Sequence, residues 1–154
     1  MLISASRFSH RKTTLYIGTN EGLYAYDYIN NQCDLCSPLL KSKNIIAYQC
    51  NSDYQIVATD REVFLFDYNW NFIHKITIYK ESLNNHITSM AIYGNQEVLL
   101  GTESGLVIIH IGNDDKTKIN TLYSGDKIVQ LFIDSRNKLW ICRGEEILYS
   151  NIDT

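Results

Sequence analysis

The sequence has one proline, no excess of positive charge and no long hydrophobic run. Fourteen Lys and Arg residues are outnumbered by seventeen Asp and Glu residues, which argues against a nucleic-acid partner because phosphate contacts need clustered positive charge. No apolar run approaches the roughly 18 residues that cross a bilayer, so we expect no membrane contact by this segment. Residues 1–10 lack the apolar stretch and small-residue cleavage site of a signal peptide. The visible sequence alone therefore predicts a cytoplasmic location.

Sequence motifs of catalysis and cofactor binding are missing as well. The chain contains no HExxH, Walker loop, nucleophile elbow or GxGxxG, and its four histidines share no short spacing. Cys33 and Cys36 have the spacing of a metal knuckle or a redox pair, but a structural zinc site needs a second close pair, and Cys50 and Cys142 are far apart. We predict no enzymatic activity, no metal, no cofactor and structural roles for the thiols.

The composition that is present is that of a folded β protein. Hydrophobic residues make up 45% of the chain and charged residues 20%, which excludes a disordered or low-complexity chain. Eleven tyrosines and many Ile, Val and Thr residues favour strands, because aromatic and β-branched side chains lose rotamer freedom in helices and fit a pleated sheet.

A repeat of about forty residues organises the whole chain. Its most regular part aligns without gaps in four segments. Each segment has an apolar strand, a polar turn and a second apolar strand, which is the pattern of a β-hairpin. The four segments are 15–27, 55–67, 98–110 and 139–151.

Further strand candidates flank these hairpins, with apolar runs before them and more polar runs behind them. The runs before them are 3–9, 45–50, 87–92 and 128–133, and those behind them are 33–40, 72–79 and 118–124. Four short antiparallel strands per repeat predict an all-β fold of β-propeller-type blades, about four in number, in an incomplete or open propeller. A β-sandwich is the rival fold, but a sandwich has no reason to repeat its sequence. We expect a single propeller segment over 1–154, with blades at approximately 1–41, 42–81, 82–125 and 126–154.

The hairpin segments resemble a known repeat. LYIGTNEGLYAYD (15–27) and DSRNKLWICRGEEILY (134–149) are similar to the two-component-regulator propeller repeat, in which an aromatic strand ends in Gly-Thr and an acidic turn leads to Gly-Leu. The second repeat departs from this pattern at Ala58 and Glu62, and the fourth has Cys142-Arg143 in place of Gly-Thr. The resemblance implies the extracytoplasmic or periplasmic sensor portion of a hybrid histidine kinase, a family that typically recognises oligosaccharides.

One face of such a propeller collects the hairpin turns and the loops that lead into each inner strand. These positions vary from repeat to repeat while the flanking strands keep their pattern, as expected when a constant scaffold carries a variable binding face. Mixed acid, base and amide groups suit hydrogen bonding to a polyol, a small polar ligand or a peptide. The predicted ligand-binding residues are Asn20, Glu21, Lys43, Asn44, Asp60, Arg61, Asn85, His86, Glu103, Asp126 and Arg143.

Recurring acidic and glycine residues have a simpler interpretation. Asp27, Asp67 and Asp134 stand at strand ends, where aspartate side chains bond nearby backbone N–H groups, so we predict turn residues and not a catalytic pair. Gly22 and Gly105 are predicted to supply a positive φ at a hairpin turn.

A four-blade arc has two open ends, which bear on its partners, and three hypotheses about its function remain. Two uncovered blade faces predict either contact with the remaining blades of a parent protein or self-association. The preferred function is non-catalytic ligand recognition by a sensor propeller segment, with a carbohydrate or similar polar ligand. The alternatives are an intracellular protein-interaction propeller and, least favoured, a propeller lyase or glycosidase.

Overall fold

The computed structural model describes residues 3–8, 13–78, 86–112 and 118–151. It confirms the all-β prediction, because the described chain forms fifteen strands in four separate antiparallel sheets. Its one helical element is a single turn of 3-10 helix, Pro38–Leu40. The described residues contain no helix long and apolar enough to span a membrane.

Each sheet is a simple meander that follows one sequence repeat, and we call the sheets blades 1 to 4. Blade 1 consists of β1 (Ile3–Phe8), β2 (Thr14–Thr19), β3 (Gly22–Asp27) and β4 (Gln32–Leu35). Blade 2 consists of β5 (Ile45–Cys50), β6 (Gln55–Thr59), β7 (Glu62–Phe66) and β8 (Phe72–Thr77). Blade 3 consists of β9 (Ile87–Tyr93), β10 (Glu97–Thr102), β11 (Gly105–His110) and β12 (Lys118–Ser124). Blade 4 consists of β13 (Ile128–Ile133), β14 (Lys138–Arg143) and β15 (Glu146–Asn151).

The first strand of each blade lies against the first strand of the next. Contacts join β1 to β5, β5 to β9 and β9 to β13, so these inner strands line one axis and the blades fan outward from it. Among the described residues no comparable contact returns from β13 to β1. The four blades therefore form an open arc, as the sequence predicted.

The core lies between blades and not inside any one of them. Because side chains alternate along a strand, each blade has a leading face toward the preceding blade and a trailing face toward the next. In blade 3, Leu100 and Ile109 lie on the leading face and pack against blade 2. Leu99, Leu106 and Ile108 lie on the trailing face and pack against blade 4. The repeat thus produces one hydrophobic cluster at each of the three blade junctions.

The outer strand of blade 1 is shorter than predicted. The sequence predicts a strand over 33–40, but β4 ends at Leu35 and the 3-10 helix follows. Pro38 begins this helix, where its missing N–H is not needed, and the Ser37 Oγ accepts a hydrogen bond from the Leu39 N–H at 3.3 Å. The turn places Leu40, which is fully buried, in the cluster between blades 1 and 2. Other predicted strand ends, at Ser9 and Tyr79, lie outside the described residues.

A β-bulge recurs at the same place in all four inner strands, which the sequence did not predict. In each strand the pairing skips the second residue, and the skipped residues are Ser4, Ile46, Thr88 and Val129. A bulge increases local twist and leaves the skipped residue out of the ladder pairing. At the bulge in β9, the Thr88 hydroxyl donates a hydrogen bond to the Ile128 carbonyl of the next blade.

Candidate functional site

The hairpin turns and the lead-in loops lie at the same end of the blades. Strand pairing places Ile45 opposite Thr59 and Ile87 opposite Thr102, so each inner strand begins beside the hairpin turn of its own blade. We call this edge the turn face. It consists of the hairpin turns at 20–21, 60–61, 103–104 and 144–145 and the described lead-in residues 36–44, 86 and 125–127.

Buried threonine hydroxyls hold three of the four hairpin turns. The Thr19 Oγ1 donates to the Gly22 carbonyl at 2.8 Å and accepts from the Glu21 N–H at 3.1 Å. Thr59 and Thr102 bond across their own turns in the same way, and all three side chains are buried. In blade 4 this position is Arg143, and an ion pair from Arg143 Nη2 to Glu146 Oε2 at 3.2 Å spans the turn instead. The Gly-Thr element of the repeat is therefore a turn-forming device.

Glycine opposite Thr19 is favoured by both backbone angle and space, and glycine opposite Thr102 by backbone angle. Gly22 and Gly105 have φ angles of +134° and +133°, as predicted. A Cβ atom on Gly22 would lie 2.8 Å from Leu35 Cδ1 and 2.9 Å from the Leu40 carbonyl oxygen. In blade 2 the same repeat position is Glu62, whose carboxylate oxygens lie 3.7 Å from Lys43 Nζ and 3.4 Å from Lys75 Nζ.

Three predicted site residues meet at the junction of blades 2 and 3. The His86 Nδ1 lies 3.4 Å from the Asp60 Oδ2, and both side chains are partly exposed. The backbone holds them in place: the Asp60 carbonyl accepts from the Ile87 N–H at 2.6 Å, and the His86 carbonyl accepts from the Glu103 N–H at 3.0 Å. The junction therefore presents an imidazole and two carboxylates from consecutive blades to solvent.

A second group of charges lies at the junction of blades 3 and 4. The Lys127 Nζ lies 3.6 Å from the Glu103 Oε1, which joins the lead-in loop of blade 4 to the hairpin turn of blade 3. Beside it is a depression of about 450 Å³ with acidic walls and one arginine. Its lining residues are Asp126, Arg143, Gly144, Glu145 and Glu146.

Four further predicted residues are exposed on the turn face: Asn20, Glu21, Asn44 and Arg61. Lys43 turns toward its own blade, with its ammonium 3.7 Å from the Glu62 carboxylate and 5.7 Å from the centre of the Phe64 ring.

Asn85 lies outside the described residues. The predicted set omitted Lys127, Glu145 and Glu146, although their repeat positions in the lead-in loop and hairpin turn of blade 4 could have identified them.

The opposite edge of the blades contains the recurring aspartates, and the structure confirms their role in turns. Asp67 accepts backbone N–H bonds from Asn69 at 2.8 Å and from Asn71 at 2.9 Å. The Asn71 side-chain amide, followed by these backbone bonds, lowers the pKa of the Asp67 carboxyl. Side-chain hydrogen bonds from Asn30 and Trp140 are likewise the main cause of the lowered pKa values of Asp27 and Asp134.

The cysteines, all within the described residues, are free thiols. Cys36 follows β4 and packs on the cluster between blades 1 and 2, where burial raises the pKa of its thiol to about 12. Cys33 is exposed on β4. Nowhere in the described ranges do three or more His, Cys, Asp or Glu side chains gather closely enough to hold a metal ion.

Known proteins match this chain through their structures. No family model matches the sequence, and no curated protein matches it. The extracellular domain assigned to the hybrid two-component system BT3049 of B. thetaiotaomicron aligns with 98% of the chain at a TM-score of 0.75 and 16% identity. The corresponding domain of BT4673 from the same organism aligns with 96% at a TM-score of 0.73 and 21% identity. The chain folds as part of a β-propeller.

Propellers other than sensor domains are also similar to this chain in structure. The WD40 β-propeller domain of Doa1 aligns with 98% of the chain at a TM-score of 0.71 and 10% identity. The chain spans 21% to 22% of the length of the two sensor domains and 51% of the Doa1 domain. At such identities the likeness concerns the fold, and for the fold it confirms the resemblance to sensor propellers found in the sequence.

Proposed function

We propose that the chain is a non-catalytic, ligand-recognising segment of an extracytoplasmic sensor propeller. One observation carries the proposal: the turn face pairs polar side chains of consecutive blades across the junctions, Asp60 with His86 and Glu103 with Lys127. A ligand that contacts such a junction touches two blades at once, so binding would alter how those blades pack. The likeness to sensor domains of two-component systems supports this function.

The proposed ligand is an oligosaccharide or a similar polyhydroxy molecule. Carboxylates, an imidazole, amides and Arg61 offer both acceptors and donors, which suits hydroxyl groups that do both. The depression beside Arg143 adds a concavity of about 450 Å³, formed by the hairpin turn and the lead-in loop of blade 4. The recurring acids of the opposite edge are occupied by their own turns, which supports assigning recognition to the turn face.

The test is binding of an oligosaccharide panel to the purified chain, followed by calorimetry on any hit. We expect Arg61→Ala and His86→Ala each to weaken binding about tenfold or more, because hydrogen bonds to charged groups contribute about 1.5–3 kcal/mol. The matched control is Arg136→Ala, an exposed arginine on the opposite edge, which should leave the affinity unchanged. No binding by the panel, or a loss only in Arg136→Ala, would refute the assignment. Turnover of a glycoside by the chain would refute the non-catalytic part.

A protein-interaction propeller is the second candidate function. The likeness to the Doa1 WD40 domain favours it, although no blade ends in Trp-Asp or opens with Gly-His. In this case the turn face would bind a peptide. The same Arg61 and His86 variants, titrated with a peptide library in place of the oligosaccharide panel, distinguish the two functions.

A further inference from the structure

A cleft of about 620 Å³ lies between blades 3 and 4, and its floor is hydrophobic. Leu99 and Ile108 line it from the trailing face of blade 3, and Leu139 and Ile141 line it from the leading face of blade 4. Because facing sheets form its two long walls, the cleft suits a flat molecule better than a bulky one. Small-molecule sites are usually apolar concavities of roughly 300–1,000 Å³, so the cleft has the size and the lining of such a site.

The strands that line this cleft are equivalent to those that form the core of the junction before it. Between blades 2 and 3, the hydrophobic cluster takes side chains from β6, β7 and β8 of one blade and from β9, β10 and β11 of the next. No described side chain of β12, the outer strand of that next blade, joins the cluster. The equivalent strands at the third junction, β10 to β15, are all described. The cleft therefore lies among the full set of strands whose side chains form a junction core.

Exposed side chains stand at the outer end of the cleft, where the preceding junction has buried ones. At the preceding junction, Ile76 of β8 and Ile78 just after it are both buried in the cluster. In the cleft, Asn120 and Leu122 of β12 are exposed, and so is Ser150 on the opposite wall. An amide and a hydroxyl therefore line the opening of a cleft whose floor is apolar.

A histidine and a glutamate lie together at the edge of the cleft opposite the turn face. The His110 Nδ1 lies 3.1 Å from the Glu97 Oε1, and both side chains are partly exposed. Both residues line the cleft, together with Tyr93, which is the partner of Glu97 in the pairing of β9 with β10. Apolar ligand sites commonly contain a few polar groups that fix the orientation of the ligand. The His110–Glu97 pair and Tyr93 supply such groups at one end of this cleft.

This pair replaces a turn-forming aspartate of the repeat. In blades 1 and 2 the position of His110 is Asp27 or Asp67, whose carboxylates accept backbone N–H bonds within their own turns. The position of Glu97 is Tyr54 in blade 2. Blade 3 thus departs from the repeat at both residues, and both departures lie beside the cleft.

We propose that the cleft binds a small planar aromatic alcohol, with its rings between blades 3 and 4 and its hydroxyl beside the His110–Glu97 pair. A hydroxyl offers a donor to the Glu97 carboxylate and an acceptor to the Tyr93 hydroxyl. An ammonium only donates and a carboxylate only accepts, so each satisfies only part of this mixed set. The site is separate from the turn face, and its tests are independent of the oligosaccharide test proposed there.

The first test compares four naphthalene probes that differ only in their polar group. The full chain is titrated in a calorimeter with 2-naphthol, naphthalene, 2-naphthylamine and 2-naphthoate. We expect 2-naphthol to saturate at one molecule per chain and to bind about tenfold more tightly than naphthalene, because its hydroxyl bonds to a charged carboxylate. The proposal is overturned if no probe saturates, or if any of the other three probes binds as tightly as 2-naphthol.

The second test fills the cleft from the exposed side of blade 4. Ser150→Trp is expected to weaken 2-naphthol binding at least tenfold, because Ser150 lines the cleft and an indole would occupy the space of the probe. Ile147→Trp is the matched control, since Ile147 is exposed on the opposite face of the same strand, and it should leave the affinity unchanged. Circular dichroism should be the same for both variants. Equal losses in the two variants, or none in Ser150→Trp, would place the probe elsewhere and refute the site.

The third test removes the charge at the polar end. Glu97→Gln is expected to weaken 2-naphthol binding about tenfold and to leave naphthalene binding unchanged, because only the hydroxyl meets residue 97. Asp34→Asn, at an exposed acid on the outer strand of blade 1, should change neither affinity. A loss of both probes in Glu97→Gln, or of neither, would contradict the assigned position of the hydroxyl.

Discussion

The junction between blades 2 and 3 is filled by buried side chains at its outer end, whereas the junction between blades 3 and 4 opens there. In the first, Ile76 of the outer strand β8 and Ile78 just after it complete the cluster. In the second, the described part of blade 4 has three strands, and a cleft of about 620 Å³ opens between the blades, lined by Leu99, Leu139 and Ile141 among others.

The difference shows that a repeat position is buried by its surroundings and not by its residue type. Phe64, Val107 and Leu148 occupy one leading-face position in blades 2, 3 and 4, and they are 4%, 5% and 41% exposed. All three are large apolar side chains, so the sequence alone cannot rank them. Phe64 and Val107 lie on strands flanked by the outer strands β8 and β12, whereas the described part of blade 4 has no outer strand beside Leu148.

The largest expected effect on the free energy of unfolding comes from shortening the side chain at one repeat position, compared between blade 3 and blade 4. Leu100→Ala removes a fully buried side chain facing blade 2, and such changes lower the free energy of unfolding by about 2–5 kcal/mol. Ile141→Ala, at the same position in blade 4, affects a half-buried side chain beside the cleft and is expected to cost about 1 kcal/mol. Urea unfolding followed by circular dichroism measures both. Equal losses would show that the cleft is closed in solution and would remove the contrast.

An intermediate effect is expected at the hairpin turns. Thr102→Val removes a buried hydroxyl that bonds the Gly105 carbonyl at 2.9 Å, and leaving that carbonyl unpaired is expected to cost about 1–3 kcal/mol. The equivalent turn in blade 4 depends on the exposed Arg143–Glu146 pair, so Glu146→Gln is expected to change stability by about 0.5 kcal/mol or less. The two urea midpoints should therefore differ. A larger loss in Glu146→Gln than in Thr102→Val would contradict the role assigned to the threonine.

The sequence predicted the blades well because burial on one face of a strand leaves a period that can be read directly. The predicted strand at 45–50 coincides with β5, and the predicted run at 128–133 coincides with β13. It predicted the outer strand of blade 1 poorly, because Ser37 and Pro38 form a local helix cap that outweighs the apolar pattern through Leu40. The inner-strand bulges leave no sequence period, since only one residue per strand is displaced.

The candidate site was predicted less completely than the fold. Repeat position placed the charged residues on one edge, but whether two side chains meet depends on the packing of adjacent blades. Asp60 and His86 belong to different repeats and come within 3.4 Å only through that packing. Lys43 was assigned to the same face, yet its ammonium lies beside Glu62 of its own blade, because Glu62 replaces the glycine that the repeat expects there.

The smallest expected effect is the pH dependence of the aspartate turns, where blades 2 and 4 should behave alike. Hydrogen bonds from Asn71 and Trp140 lower the pKa values of Asp67 and Asp134 in the folded chain. The ionised carboxylates therefore stabilise the folded chain at pH values above their ordinary pKa. This stabilisation is lost as the pH falls below about 4, toward the lowered pKa values of the folded chain. Asp67→Asn and Asp134→Asn should each reduce the difference between urea midpoints at pH 6 and pH 3, relative to the unchanged chain. A reduction in one variant alone would mean that the contrast between closed and open junctions extends to these exposed turns.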